Sequence, residues 1–145
     1  MVQKNIEVIS MDCIFCKIVK GEIPCQKVYE NDKILAFLDI MPIHKGHTLV
    51  IPKEHHADIL EMPDDTLAEL AKTAKKISKA VKKAAKADGF NIGQNNGAAA
   101  GQAVFHFHLH IIPRFNDDGL KSWPHQKLPE EDMKQIQEDI KNSLE

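Results

Sequence analysis

The sequence predicts an α+β domain, an antiparallel sheet of about five strands with one long helix packed on it and a second helix at the C-terminus. Three observations carry that expectation. From His106 to Ile112 an ionisable ring alternates with a large apolar side chain, which is the period of a strand. From Asp64 to Ala87 apolar residues recur at steps of three and four, which is the period of a helix. Elsewhere short β-forming runs are punctuated by Asn-Asp, Gly and Pro.

The chain of 145 residues has room for one domain with a sizeable core. Its organisation reads as a weakly patterned leader over 1–12, a central domain over 13–115, and a C-terminal loop and helix over 116–145. A formal charge of −2 gives no global case for binding nucleic acid or an anionic membrane. No apolar run approaches a membrane span and the first ten residues lack a signal-peptide pattern, so a cytoplasmic protein is expected.

Taken in order, Cys13 and Cys16 form a Cys-x-x-Cys that suits a turn offering both thiolates to one zinc ion. Two packed thiols would satisfy the same spacing. Ile18 to Pro24 reads as a short turn or helical segment ended by Gly21 and Pro24. Lys27 to Glu30 and Ile34 to Leu38 read as a hairpin turning at Asn31-Asp32. Asp39 then ends a buried run, where an acid is either a turn former or a carboxylate acceptor for a ribose diol. In the second reading Phe37 and Ile40 supply an apolar pocket for a base.

Thr48 to Ile51 is a compact strand stopped by Pro52, flanked by His47 and His55, each of which taken singly reads as a surface histidine. In the long helix, Asp64, Asp65 and Thr66 are competent caps, Gly89 stops the far end, and seven lysines cover the outer face. A solvated face explains those lysines better than a nucleic-acid stripe, because no aromatic or arginine is interleaved. Phe90 to Gln94 is the next strand. Asn95 to Gln102 is a glycine-flanked loop that is either a plain hairpin turn or a backbone cradle for an anion. It delivers the chain directly to the histidine row, which favours the anion. Trp123 lies in the loop that follows, and Pro129 opens a helix with the apolar stripe Met133, Ile136, Ile140 and Leu144.

Read as a strand, the histidine segment sends Phe105, Phe107, Leu109 and Ile111 to the core and His106, His108 and His110 to the other face, about 6.6 Å apart. Neutral imidazole is a nucleophile toward phosphorus, and neighbouring rings can supply donors to the phosphate oxygens. The middle ring is the best-placed attacker.

The run of histidine and apolar residues from His106 to Ile112 resembles, at every position, the signature of the histidine triad (HIT) family, and the resemblance extends from about Cys13 to Arg114. It implies a HIT-like fold, a homodimer, and cleavage at the α-phosphate of nucleoside phosphoramidates or dinucleoside polyphosphates, with a purine nucleotide or dinucleotide as substrate. Carried onto this chain, it makes His108 the nucleophile that becomes nucleotidylated and places His110 on the phosphate and leaving group. His47, Asn95, Gly101 and Gln102 orient the α-phosphate, and Phe37, Asp39 and Ile40 form the nucleoside pocket. It also implies a closed structural zinc site of Cys13, Cys16, His55 and His106, with His56 as a neighbouring competitor for His55. Trp123 resembles a C-terminal tryptophan that reaches a neighbouring site in some relatives. Ala103 departs from the family pattern by lacking a hydroxyl, which bears on a leaving-group contact. Two other functions fit the sequence: a zinc-stabilised nucleotide-binding or interaction module with little turnover, and a metalloenzyme using His106 and His108 as a chelating pair.

Overall fold

The computed structural model describes residues 12–145. The leader expected over 1–12 therefore lies outside the described residues except for its last position. The described elements are α1 (Ile14–Val19), β1 (Lys27–Glu30), β2 (Ile34–Leu38), β3 (Thr48–Pro52), α2 (Asp64–Ala85), β4 (Gly89–Gln94), β5 (Leu109–Arg114) and α3 (Glu130–Ser143). The strands form one five-stranded sheet in the order β1-β2-β3-β5-β4, and each neighbouring pair is antiparallel.

Asn31 closes the first hairpin by accepting hydrogen bonds at Oδ1 from the amides of Lys33 (2.9 Å) and Ile34 (2.8 Å). The interior strands β2 and β3 are apolar on both faces because both faces are covered. Ile34, Ala36 and Val50 pack with Leu70, Ala74, Ile77 and Val81 of α2, together with Phe107 and Ile111. Leu35, Phe37, Leu49 and Ile51 pack on the opposite face with Phe15 of α1. Continuous apolar runs are what a strand buried on both sides requires.

Several local expectations need correction. Cys13 and Cys16 sit on a helical turn, with Cys13 at the N-cap of α1, and the chain leaves that helix through Gly21 at φ +79°. The cap of α2 is Pro63, whose carbonyl accepts from the Leu67 amide at 2.9 Å, and none of Asp64, Asp65 or Thr66 serves as its side-chain cap. The helix ends at Ala85 with Lys86 in the left-handed region at φ 54°, three residues before the expected glycine stop. Gly89 instead begins β4.

The histidine row is only partly a strand. Regular pairing begins at Leu109, and the preceding segment is held instead by the Phe107 amide, which donates to the His56 carbonyl at 2.7 Å. Phe107 and Ile111 are core residues as expected, but Phe105 is 52 % exposed because the backbone has left the pleat there. Pro113 lies within β5. It is tolerated because pairing with β3 stops at Ile111, so its missing N–H falls where only β4 adjoins.

Candidate active site and metal centre

Backbone groups orient His106, His108 and His47, and those hydrogen bonds decide which ring nitrogen carries a proton. His106 is fully buried, and its Nε2–H donates to the Pro52 carbonyl at 2.8 Å. Its Nδ1 lone pair is left facing Cys13 Sγ and Cys16 Sγ, each at 3.5 Å. His55 completes the group, with Nδ1 3.3 Å from Cys16 Sγ. The four ligand atoms all lie within 4.8 Å of one another. Burial lowers the His106 pKa to about 4, and burial beside Cys13 pushes the Cys16 thiol up to about 12. His56 turns away, with Nε2 3.4 Å from Glu54.

His108 Nδ1–H donates to the His106 carbonyl at 2.7 Å, so its Nε2 carries the free lone pair. Phe15 meets its ring edge to face at 5.1 Å and also packs on His106 at 5.9 Å. The ring of His110 stands 5.0 Å from that of His108, between centroids, at an interplanar angle of 67°.

His47 is 3 % exposed, so it is no surface histidine. The Ile43 amide donates to its Nδ1 at 3.1 Å. The proton of the neutral ring therefore sits on Nε2, from which it is donated to His110 Nδ1 at 2.9 Å. In turn His110 keeps its own proton on Nε2. Burial lowers the pKa of both, that of His110 to about 4, with His108 and His47 adding to the shift and Asp39 opposing it. Both rings are thus neutral at pH 7, and a fixed N–H of His110 is available as a donor.

Asp39 forms the turn that one of its two sequence readings expects. Oδ1 accepts from the Met41 amide at 2.9 Å, which makes a turn, while Oδ2 stands 3.6 Å from His47 Nε2. Asp39, His47 and His110 have the composition of a metal site. The lone pair a metal would need on His47 Nε2 is occupied by the proton that the Ile43 amide places there. Within this cluster His47 and His110 are joined by a hydrogen bond, with the Asp39 carboxylate beside them. Phe37 is buried against Phe15, whereas Ile40 is 90 % exposed.

The loop before the triad has positive φ at Gly97 (90°) and Gly101 (88°), where a side chain would be strained. Gln102 is buried and holds the loop shut. Its Oε1 accepts from the Gly97 amide at 2.8 Å, and its Nε2 donates to the carbonyls of Ala57 (2.7 Å) and Val104 (3.0 Å). Both of its N–H donors are consumed internally. Asn95 instead lines an open cavity of about 670 Å³, together with Ile43, His47, His110, Arg114 and Trp123.

Sequence reasoning missed Phe15, the Ile43 amide and the group formed by His44, Arg114 and Asp118. The Asp118-Gly119 pair was the available signal for the last, as a turn placed just after the triad strand.

A family model described as HIT domain matches residues 20–117. The adenosine 5'-monophosphoramidase of Schizosaccharomyces pombe is 46 % identical over 136 residues, covering 92 % of this chain and 99 % of that protein. Among solved structures, a HIT family protein from Bacillus anthracis aligns with a TM-score of 0.84 at 44 % identity, covering 92 % of this chain and 98 % of that one. A zinc-bound histidine triad family protein from Mycobacterium smegmatis aligns with a TM-score of 0.73 at 42 % identity, covering 92 % and 96 %.

Proposed function

The chain belongs to the HIT domain family, and we propose that it cleaves a bond at the α-phosphate of a purine nucleoside phosphoramidate or dinucleoside polyphosphate through a nucleotide carried on His108. The observation that carries this reading is the hydrogen bond from His108 Nδ1–H to the His106 carbonyl, because it leaves Nε2 unprotonated beside a second ring whose N–H is fixed. The His108 Nε2 lone pair attacks phosphorus as the bond to the leaving group breaks, and the leaving group takes the bonding electron pair and a proton from solvent. Water then attacks phosphorus, breaks the N–P bond and gives up a proton to solvent, which returns His108 to its neutral state. His110 Nε2–H hydrogen-bonds to an oxygen of the phosphate or to the leaving group during transfer. The amides of Ala98 and Ala99, at the tip of the Gly97–Gly101 loop, face the α-phosphate, with Asn95 beside the loop. Gln102 acts by keeping that loop in shape. Asp39 takes the ribose diol, with Ile40 and the edge of Phe37 toward the base.

The Cys13, Cys16, His55 and His106 group fits zinc, since two thiols and two imidazole nitrogens converge and the Pro52 carbonyl frees His106 Nδ1 for a ligand bond. With four protein ligands zinc would act structurally, tying α1 to the segment that carries His108. A reducing, cytoplasmic setting keeps both thiols available for it. A homodimer suits β4, an edge strand that leaves Phe90 and Ile92 exposed.

The test is His108→Asn assayed against an adenosine phosphoramidate. Loss of AMP release with an unchanged melting temperature supports the proposal, and unchanged hydrolysis contradicts it. Nucleotide binding by the wild-type protein without turnover on any nucleoside substrate would instead favour the binding module that Ala103 suggests.

A further inference from the structure

Asp118 is the most heavily bonded side chain near the site, yet it touches none of the histidines assigned to chemistry. Its carboxylate is 6 % exposed and accepts five hydrogen bonds. Arg114 donates from Nε at 2.7 Å and from Nη2 at 2.9 Å. The amides of Phe115 and Leu120 each donate at 3.1 Å. The fifth donor is His44 Nε2 at 3.2 Å. Four of these bonds fold the turn after β5 onto itself. The fifth crosses to a different part of the chain.

That crossing reaches the segment that sets the proton on His47. His44 is the first residue of a turn in which the His47 amide donates to the His44 carbonyl at 3.0 Å. Gly46, at φ +104°, lets the chain reverse there. Ile43, next to His44, provides the amide that bonds His47 Nδ1 at 3.1 Å. The His44 ring also meets Phe115 edge to face, at 5.3 Å between centroids. Anchoring His44 therefore anchors the Ile43 amide, which fixes the His47 tautomer. His47 Nε2–H then fixes His110 through its 2.9 Å bond.

We propose that Asp118 is a positioning residue for the phosphate-transfer site, acting through His44 and the Ile43–His47 turn to hold His110 with its donor N–H directed at the reacting group. This inference rests on the reading of His108 and His110 given above. It adds that the turn after the triad strand belongs to the functional unit.

Asp118→Ala risks disrupting the turn itself, so the informative substitutions are at His44. His44→Phe keeps a flat ring beside Phe115 but removes the donor to Asp118. His44→Gln restores a donor at similar reach. Two readouts are needed: kcat and KM for AMP release from an adenosine phosphoramidate, and the long-range ¹H–¹⁵N imidazole spectrum of the substrate-free protein, which reports the tautomer of His47. For His44→Phe, kcat falls about tenfold with KM within about twofold, the scale expected of a misplaced catalytic group, and His47 shows both tautomers in exchange. For His44→Gln, kcat and the single Nε2–H tautomer return. Unchanged kcat and spectrum in His44→Phe overturn the proposal, as does an equal loss in both variants with His47 still a single tautomer. Because the spectrum is read without substrate, it stands apart from whether His108 forms a covalent adduct.

Discussion

The Nδ1–H of His108 donates to the backbone carbonyl of His106 at 2.7 Å, so the residue facing the two cysteines also orients the proposed nucleophile. A backbone carbonyl survives side-chain substitution, but its position depends on where the buried His106 ring is held. The metal group and the reacting group thus share one short segment, and occupancy of the first should change the precision of the second without changing its chemistry.

Zinc binding should release protons. The Cys16 thiol, pushed up to about 12 by burial beside Cys13, holds its proton firmly at pH 7 until a dication replaces it. Titrating metal-free protein with zinc in weak buffer is expected to release about two protons per ion, one from each thiol. Cys16→Ser should lower this to about one and weaken retention of the metal. Zinc uptake with no proton release would contradict the ligand assignment.

The burial of His110 gives a signed pH dependence. Its pKa is lowered from 6.5 to about 4, so as pH falls below 6.5 the unfolded chain takes up a proton that the folded chain refuses. The stability associated with His110 is fully present above pH 6.5 and declines as pH falls toward 4. His47, lowered for the same reason, acts in the same direction. Urea unfolding of the wild type and of His110→Gln across this range checks the point. The wild type should lose more stability than the variant, and parallel curves would contradict it.

Gln102→Ala should cost about 2 kcal/mol, because it strands the half-buried Gly97 amide and carbonyls of Ala57 and Val104. Gly101→Ala should cost about 1–2 kcal/mol for a different reason, since φ 88° is strained for any residue with a Cβ. Denaturant unfolding measures both. If Gln102 held phosphate instead of the loop, its substitution would raise KM and leave stability unchanged.

The sheet and the long helix were legible in the sequence because each has a period that its geometry requires, and the Cys-x-x-Cys because of its spacing, whereas His55 and His106 joined it only through the resemblance to the HIT family. What was not legible came from pairings between distant residues. His47 reads as a surface histidine from its neighbours in sequence, and only the Ile43 amide and His110 make it a buried relay. Phe15 lies in a segment too short for a periodic signal, so its position over His108 could not be read. The resemblance placed Gln102 at the α-phosphate, and its bonds to Gly97, Ala57 and Val104, which no local pattern reveals, make it a brace of the loop. Phe105 kept the strand alternation in sequence while the backbone left the ladder, a break that periodicity alone does not reveal. The fifth donor to Asp118 came from 74 residues away in the chain, at His44.

The most direct test is intact-protein mass spectrometry after brief mixing with an adenosine phosphoramidate, quenched at alkaline pH to preserve a histidine-linked phosphoryl group. A mass gain of one AMP on the wild type, absent in His108→Ala and carried on Nε2 of the ring, is the expected result. AMP release by a fully active His108→Ala protein, or an adduct on Nδ1, would contradict the account.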